Sequence, residues 1–443
     1  MKYLFVACLL CLSVLSAVAK VPAMNKIRLT NNWEYLKGDL GGIWEAVRPA
    51  APGSSEAVPI WQPVTLPHCF NAEDAVDPDV NYYEGPGWYK TLLAIDNPYR
   101  NGRIVLDFDG AGQKTDVYVY TTHVGSHVGG YDSWNVDITD AVKAFLGSKD
   151  AKRFKGKVPL SIRCDNSRDL EMIPSDLADF NIYGGLYRYL NLVYLPEVSF
   201  EQIRLESFLS SNLKEGILKV KTSFYNPEDI RKADVTVSVY DADRKPVFSK
   251  TLEGILPLGD QLLAEMKIKN PVLWDVDVPQ LYTCELTVKT PDQTFTTEER
   301  FGFRHTEFKD KGPFFLNGKR LLLRGTHRHE DHAGVAQAMT EDMMRREMWM
   351  MKDMGVNFIR LGHYQQSEII LDLCDELGIL VWEEIPWCRG GLGGDVYKEQ
   401  ARRMLANMIV QHHNHPAVII WGLGNENDWP NDFDTFDKSA IRA

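Results

Sequence analysis

Residues 356–384 read VNFIRLGHYQQSEIILDLCDELGILVWEE, and this stretch decides the fold of the C-terminal part of the chain. Two short apolar runs, Val356–Leu361 and Ile379–Glu383, flank a segment over 367–377 whose apolar residues recur at helical spacing. Strands that alternate with helices in this way predict a parallel sheet with crossover helices.

The same unit can be read four times after Arg304. The predicted strands are 320–325, which runs on to Glu330, then 356–361, 379–383 and 417–421, and the predicted helices are 340–354, 367–377 and 396–412. Such units form either an open doubly wound sheet or a (β/α)8 barrel. No Gly-rich phosphate loop follows the first strand, and every strand ends in polar residues, as barrel active sites require. We therefore expect residues 304–443 to form the N-terminal half of a TIM barrel, with the chain stopping before the barrel closes.

The chain before Arg304 is rich in short β runs separated by turn residues. Arg103–Phe108 is one such run, and Ala233–Tyr240 alternates apolar and polar residues as a half-buried strand does. We expect a jelly-roll β-sandwich over 20–198. A second, immunoglobulin-like sandwich is expected over 199–303.

The composition indicates a globular protein of several domains. The 443 residues are 44% apolar and 25% charged, which suits two to four domains that each bury a core. The formal net charge of −12 disfavours a nucleic-acid partner, since such binding draws on clustered Lys and Arg. The oligomeric state stays open, and a homo-oligomer is compatible with the sequence.

Residues 1–19 have the pattern of a signal peptide: a basic Lys2, an apolar run, and small residues before a predicted cleavage after Ala19. The apolar run Tyr3–Leu15 is shorter than the roughly 20 residues that span a bilayer, which disfavours a membrane anchor. We expect a periplasmic or secreted protein. Beyond this segment the five cysteines are widely spaced without a C-x-x-C pair, so we expect buried free thiols.

Glu426 is the candidate for the chemistry of the chain. It follows the predicted strand 417–421 directly, where partial desolvation would raise the pKa of a carboxyl group towards the working pH of a general acid. Its neighbour Asn425 can hydrogen-bond a sugar hydroxyl with either half of its amide. Taken alone, an Asn-Glu pair is more often a polar turn that caps the next helix.

The surrounding sequence favours the chemical interpretation. The run Asn414–Glu426, NHPAVIIWGLGNE, resembles the acid/base signature of glycoside hydrolase family 2, the family of bacterial β-galactosidases and β-glucuronidases. Further resemblances to this family, in the expected order, are found at Leu66–Asn71, Asp179–Arg188, Arg324–Gly334 and Asn357–Tyr364.

This resemblance implies a retaining β-glycosidase. The activity expected first is that of a β-galactosidase. It makes Glu426 the general acid/base. The glycone would be bound by Asn425, His329, His363, Arg360 and Asp179, with Asn71 a weaker candidate. Each of these has a structural alternative, since the histidines can be core residues bonded to backbone and Asp179 can cap a turn.

The sequence departs from the family pattern in two places. The nucleophilic Glu, expected at the end of the seventh strand, is absent, and the resemblance gives Glu330, Glu383 and Glu384 supporting roles only. The run Pro386–Gly390 lacks the oxygen ligands that suit Mg²⁺. We expect no metal site and no cofactor.

Two rival hypotheses remain at this stage. A β-glucuronidase of the same family shares the His-Glu-Asp run after the first strand, and only substrates can separate the two activities. A non-catalytic carbohydrate-binding fragment is the other rival, because losing the nucleophile costs many orders of magnitude in rate. The chain as given is therefore expected to be inactive.

Overall fold

The computed structural model describes residues 26–49, 59–175, 178–227, 231–389 and 393–426. The predicted signal peptide, residues 1–19, lies outside these ranges. Among the described helices, none has the length and apolar character needed to cross a membrane.

The N-terminal sandwich is built from two main antiparallel sheets. Its strands are β1 (Lys26–Arg28), β2 (Trp33–Lys37), β3 (Gln62–Val64), β4 (His68–Cys69), β5 (Pro86–Leu93), β6 (Arg103–Phe108), β7 (Lys114–Val119), β8 (Thr122–Val128), β9 (Trp134–Asp137), β10 (Val158–Asp165), β11 (Gly185–Leu186) and β12 (Leu190–Leu195). Its helices are α1 (Trp44–Val47), α2 (Thr139–Leu146) and a 3-10 helix, Lys149–Lys152. The sheets have the orders β1-β12-β6-β9 and β3-β2-β5-β10-β7-β8, and β11 pairs with β4. Their inner faces share one core, in which Phe108 stacks on Trp134 with ring centroids 4.0 Å apart.

The middle sandwich follows without a break. Its strands are β13 (Ser199–Leu209), β14 (Glu215–Tyr225), β15 (Ala233–Tyr240), β16 (Pro246–Ile255), β17 (Gly259–Lys269), β18 (Tyr282–Lys289) and β19 (Thr294–Phe301). They form sheets of order β13-β14-β17 and β16-β15-β18-β19. Buried and half-buried residues alternate along the whole of β14, because successive side chains of a strand point to opposite faces. One face of each sheet therefore lies in a common core.

The β/α segment carries the parallel sheet predicted from the sequence. It comprises β20 (Thr306–Phe308), β21 (Phe314–Leu316), β22 (Lys319–Arg320), β23 (Gly325–Arg328), α3 (Glu341–Asp353), β24 (Phe358–Leu361), α4 (Glu368–Leu377), β25 (Leu380–Glu384), α5 (Asp395–His412) and β26 (Val418–Gly422). Strands β23 to β26 are parallel and lie in chain order. The last three strands and all three helices end within two residues of the predicted positions.

The first parallel strand was predicted too early. Arg320 pairs with Phe315 in the small antiparallel sheet β20-β21-β22, so β23 begins only at Gly325. The apolar residues Leu321 and Leu323 pack against the core of the β/α segment from outside any strand. Apolar character alone did not distinguish this approach from a strand.

Helix α4 has defined signals at both ends. The Ser367 hydroxyl accepts a hydrogen bond from the backbone N–H of Ile369, and the helix ends at Gly378 in the left-handed region with φ +68°. A Cβ at Gly378 would lie 2.4 Å from the carbonyl oxygen of Val276, so glycine is required there. These ends fix where β25 begins.

A buried ion pair joins the N-terminal sandwich to the β/α segment. The guanidinium of Arg188 donates to the Glu330 carboxylate, with Nε–Oε2 at 2.8 Å and Nη2–Oε2 at 2.7 Å. The same guanidinium donates to the carbonyl oxygens of Tyr131 at 2.8 Å and Gln365 at 2.7 Å. Both charged side chains are at most 1% exposed. Such a pair is tolerable only because its polar atoms are bonded.

The middle sandwich is joined to the β/α segment by ion pairs of Arg300 on β19 with Asp372 and Glu376 of α4, at 2.6 and 2.7 Å, and by hydrogen bonds between neutral groups. The Asn414 amide accepts from the backbone N–H of Leu205 at 2.8 Å and donates to the carbonyl of Ile203 at 3.0 Å. The buried indole of Trp274 donates to the carbonyl of Asp375 at 2.9 Å. The middle sandwich thus contacts the helix and turn that precede β25 and β26.

The five cysteines beyond residue 19 are all free and buried, as predicted. They are Cys69, Cys164, Cys284, Cys374 and Cys388.

We predict that Glu330→Gln lowers the free energy of unfolding by about 3–5 kcal/mol, because it leaves the buried guanidinium of Arg188 without its counter-charge. Urea unfolding followed by tryptophan fluorescence measures the change. Arg28 and Glu341 form a second pair between the same two parts, at 2.7 Å but with Arg28 45% exposed. Arg28→Met should cost at most about 1 kcal/mol. Equal costs for the two variants would contradict the importance given to the buried pair.

Candidate active site

Arg360 on β24 is the centre of a polar network at the carboxyl ends of the parallel strands. Its guanidinium donates to Glu384 with Nη2–Oε1 at 2.8 Å and Nε–Oε2 at 3.2 Å. It also donates to the side-chain oxygen of Asn425 at 2.8 Å. The network therefore links the ends of β24, β25 and β26, which is where a barrel places its active site.

His363, just after β24, belongs to the same network. Its Nδ1 lies 2.8 Å from Oε1 of Glu384, and the residue is almost fully buried. The same Nδ1 lies 3.2 Å from Nη2 of Arg360, so it either donates to the carboxylate or accepts from the guanidinium, depending on the tautomer.

The two adjacent glutamates of β25 have different surroundings. Glu384 points towards Arg360, whereas Glu383 points the other way and its Oε2 lies 2.7 Å from Nδ1 of His412 on α5. Both carboxylates are fully buried. Consecutive strand residues face opposite sides of a sheet, so only one of the pair could reach the site.

Asn425 and Glu426 are held by the loop that follows β25. The backbone N–H of Asn425 donates to the carbonyl of Trp387 at 2.8 Å, and its carbonyl accepts from the N–H of Arg389 at 3.0 Å. The Arg389 guanidinium lies 3.1 Å from the Glu426 carboxylate. The Glu426 side chain is 55% exposed, so the desolvation expected from the sequence is not found among the described residues.

The N-terminal sandwich contributes Asp179 to this site. Its carboxylate accepts from the Cys388 thiol at 3.4 Å and lies 3.8 Å from the Arg389 guanidinium. Burial raises the pKa of Cys388 to about 11, which keeps the thiol protonated and able to donate. The next residue, Phe180, packs its ring near those of His329 and His363. Asp179, from a different domain, thus lies near the same Arg389 guanidinium that contacts Glu426.

His329 lies at the same opening, beside His327. Burial, and then the neighbouring imidazoles of His327 and His363, lower the pKa of His329 to about 4. His329 is therefore neutral at neutral pH, and it can either donate or accept a hydrogen bond.

Asn71 is not part of this opening. It is fully buried, its side-chain oxygen accepts from the N–H of Gly184 at 3.1 Å, and its amide donates to the carbonyl of Tyr83 at 3.2 Å. The expected contact with a sugar therefore has no support in the geometry. Asn71 instead fixes the segment that follows Asp179.

The sequence interpretation missed two residues of the site, Cys388 and Arg389. Cys388 bridges Asp179 and Asn425, since it also accepts from the Asn425 amide at 3.4 Å. Arg389 contacts both Asp179 and Glu426. Their position just after β25 was the available signal, but the run Pro386–Gly390 was considered only for magnesium ligands.

The run Asn414–Glu426 has a structural part at its start and a site-forming part at its end. Asn414 holds the middle sandwich, and His415 bonds Asp375 with Nδ1–Oδ2 at 2.7 Å. Only the last two residues, Asn425 and Glu426, reach the site. The arrangement as a whole offers two exposed carboxyl groups, Glu426 and Asp179, that share contacts with the Arg389 guanidinium. An accessible carboxyl group of this kind suits proton transfer next to a bound sugar.

The three domains described above match the three domain models of one protein family. The chain matches the sugar binding domain of glycosyl hydrolases family 2 over residues 40–196, the family's second domain over 198–304 and its TIM barrel domain over 307–442. The chain belongs to glycosyl hydrolases family 2.

Relatives in this family include two kinds of enzyme. A putative β-glucuronidase of Formosa agariphila is 39% identical over 94% of this chain and 48% of its own length. A β-galactosidase of Thermoanaerobacterium thermosulfurigenes is 30% identical over 90% of this chain and 53% of its own length. The crystal structure of a Parabacteroides merdae β-glucuronidase is 98% identical, with a TM-score of 0.92 over 96% of this chain and 54% of that one.

The chain spans about half the length of these relatives. The β-glucuronidases among them are the more similar, so the expectation of a β-galactosidase is less well supported than its alternative.

His68, in the motif Leu66–Asn71, leads to a prediction on how the stability of the protein depends on pH. Burial lowers the pKa of His68 to about 4, below the value of about 6.5 in an unfolded chain. The contribution of neutral His68 to stability is therefore complete above pH 6.5 and is lost as the pH falls towards 4. Between pH 6.5 and 5 this amounts to about 2 kcal/mol.

Urea unfolding at pH 7.5 and pH 5 tests this prediction. His68→Gln should lose about 2 kcal/mol less than the wild type between the two pH values. His123→Gln, which changes an exposed histidine of the same sandwich, should follow the wild type. If His68→Gln loses as much stability as the wild type between the two pH values, His68 does not contribute to the pH dependence of folding and the prediction is wrong.

Proposed function

We propose that this chain supplies the glycone-binding site and the general acid/base of a retaining β-glucuronidase. The observation that carries the proposal is the cluster of Glu426, Asn425, Asp179 and Arg360 at the strand ends, in a chain 98% identical to a Parabacteroides merdae β-glucuronidase.

In this proposal Glu426 protonates the leaving oxygen of the glycoside. Its exposed carboxyl group is accessible to a substrate, and Arg389 holds it next to Asp179. Asp179 accepts hydrogen bonds from sugar hydroxyls, while Asn425, His363 and His329 offer both donors and acceptors. Arg360 positions Asn425 and, through Glu384, His363.

The nucleophile of a retaining mechanism has to be a second carboxylate about 5–5.5 Å from the first. The buried glutamates of the β/α segment are poor candidates because each is buried and already bonded to a neighbouring side chain. Glu330 is paired with Arg188, Glu383 with His412, and Glu384 with Arg360 and His363. We therefore propose that none of them acts as the nucleophile.

A β-galactosidase is the second candidate, favoured by the Thermoanaerobacterium thermosulfurigenes relative. The two substrates differ at the sugar C6 carboxylate, so a direct comparison of their hydrolysis separates the candidates. Export to the periplasm or the medium, based on residues 1–19, is part of the same proposal.

The test compares this chain with a fusion in which it is followed by the C-terminal part of the Parabacteroides merdae enzyme that it does not match. We expect the fusion to hydrolyse p-nitrophenyl β-D-glucuronide with a kcat/KM at least about a hundredfold above that for the β-D-galactoside. The chain alone should be slower by many orders of magnitude, because Glu330, Glu383 and Glu384 are each engaged with a neighbouring side chain and none of them is proposed to act as the nucleophile.

Glu426→Gln in the fusion should lower kcat by about 10²–10⁴, the usual contribution of a general acid. Glu399→Gln on α5, which changes an exposed glutamate away from the site, should leave kcat unchanged. A preference for the β-galactoside would establish the second candidate. If the fusion cleaves neither glycoside, the carbohydrate-binding alternative replaces the enzyme.

A further inference from the structure

Three imidazole rings meet at the mouth of the parallel sheet. His327 lies on β23, His329 follows that strand, and His363 follows β24. The ring centroids are 5.1 Å apart for His327–His329, 4.8 Å for His327–His363 and 5.3 Å for His329–His363. One ring nitrogen of each lies within 4.8 Å of a ring nitrogen of the others.

These distances are close to those of a three-histidine metal centre. With zinc–nitrogen bonds of about 2.0–2.1 Å at tetrahedral angles, the three nitrogens are about 3.4 Å apart and the ring centroids roughly 5 Å apart. The centroids are already at that spacing, so the rings need only turn inwards. His327 is exposed and His329 half-buried, and both side chains therefore have room to turn.

His363 is held as metal-binding histidines usually are. Its Nδ1 lies 2.8 Å from the Glu384 carboxylate and 3.2 Å from Nη2 of Arg360, and these contacts fix the ring. In the tautomer that carries its proton on Nδ1, the ring donates to Glu384 and Nε2 is the coordinating atom. The carboxylate is fixed in turn by Arg360. One of the three ligands is thus preorganised.

A second group of possible ligands shares His363. Asp179 and Cys388 each place a ligand atom within 4.8 Å of a coordinating atom of His363. Imidazole nitrogens favour zinc, copper, nickel and cobalt, whereas magnesium and calcium prefer sites made of oxygen ligands.

We propose that His327, His329 and His363 form a binding site for a divalent transition metal, with Zn²⁺ as the reference ion. The site overlaps the proposed glycone subsite at His329 and His363, so metal and sugar exclude each other. This competition rests on the proposed function, whereas the metal site itself does not.

Titration calorimetry of the tag-free 443-residue chain with Zn²⁺ tests the metal site, and the visible absorption of Co²⁺ reports its geometry. We expect one ion per chain and the intense absorption bands of tetrahedral cobalt. His327→Gln should weaken Zn²⁺ binding at least tenfold, and His332→Gln, a matched change in the same segment outside the cluster, should leave it unchanged. Circular dichroism verifies that both variants are folded.

Two results would overturn the metal site: no binding of Zn²⁺ at millimolar concentration, or equal affinity in His327→Gln and the wild type. Repeating the titration with D-glucuronate separates the two proposals. A weaker apparent Zn²⁺ affinity supports both. If Zn²⁺ binding depends on His327 but is unaffected by the sugar, the metal site stands and the glycone assignment fails. If the sugar binds and Zn²⁺ does not, the glycone assignment stands and the metal site fails.

Discussion

The buried pair of Arg188 and Glu330 is the contact on which the geometry of the site depends. Arg188 ends the segment that begins with Asp179, and Glu330 directly follows His329. The pair therefore sets the distance between the group supplied by the N-terminal sandwich and those supplied by the strand ends. Burying two charges contributes little net stability, so its value lies in fixing one relative position of the two parts.

Much of the fold follows from local pattern. Helical and strand periodicity placed α3, α4, α5 and the strands between them. Side-chain caps at Thr340 and Ser367 also mark the starts of α3 and α4, whereas α5 begins without one. The start of β23 was missed because Leu321 and Leu323 are apolar for packing outside a strand. Sequence pattern contains no information on which sheet a short apolar run joins.

Site residues that lie in the motifs resembling the family could mostly be predicted from the sequence. Roles that depend on tertiary contacts could not. His329, His363, Arg360, Asn425, Glu426 and Asp179 come together at one opening. Asn71 does not, because its amide is used inside the sandwich. Cys388 and Arg389 were missed because their roles depend on a loop path and on a partner more than 200 residues away in the sequence, Asp179. Such long-range neighbours appear only once the domains are docked.

Asp179 and Glu426 come from different domains. The geometry of the site therefore depends on how the two domains are docked. A saccharide that contacts both parts binds only the docked form, and by mass action it would stabilise the joint by RT ln(1 + [L]/Kd). The linkage is reciprocal, so a change that loosens the joint weakens the saccharide by the same free energy. Under the proposed function, residues between the domains that never touch the sugar therefore contribute to its affinity.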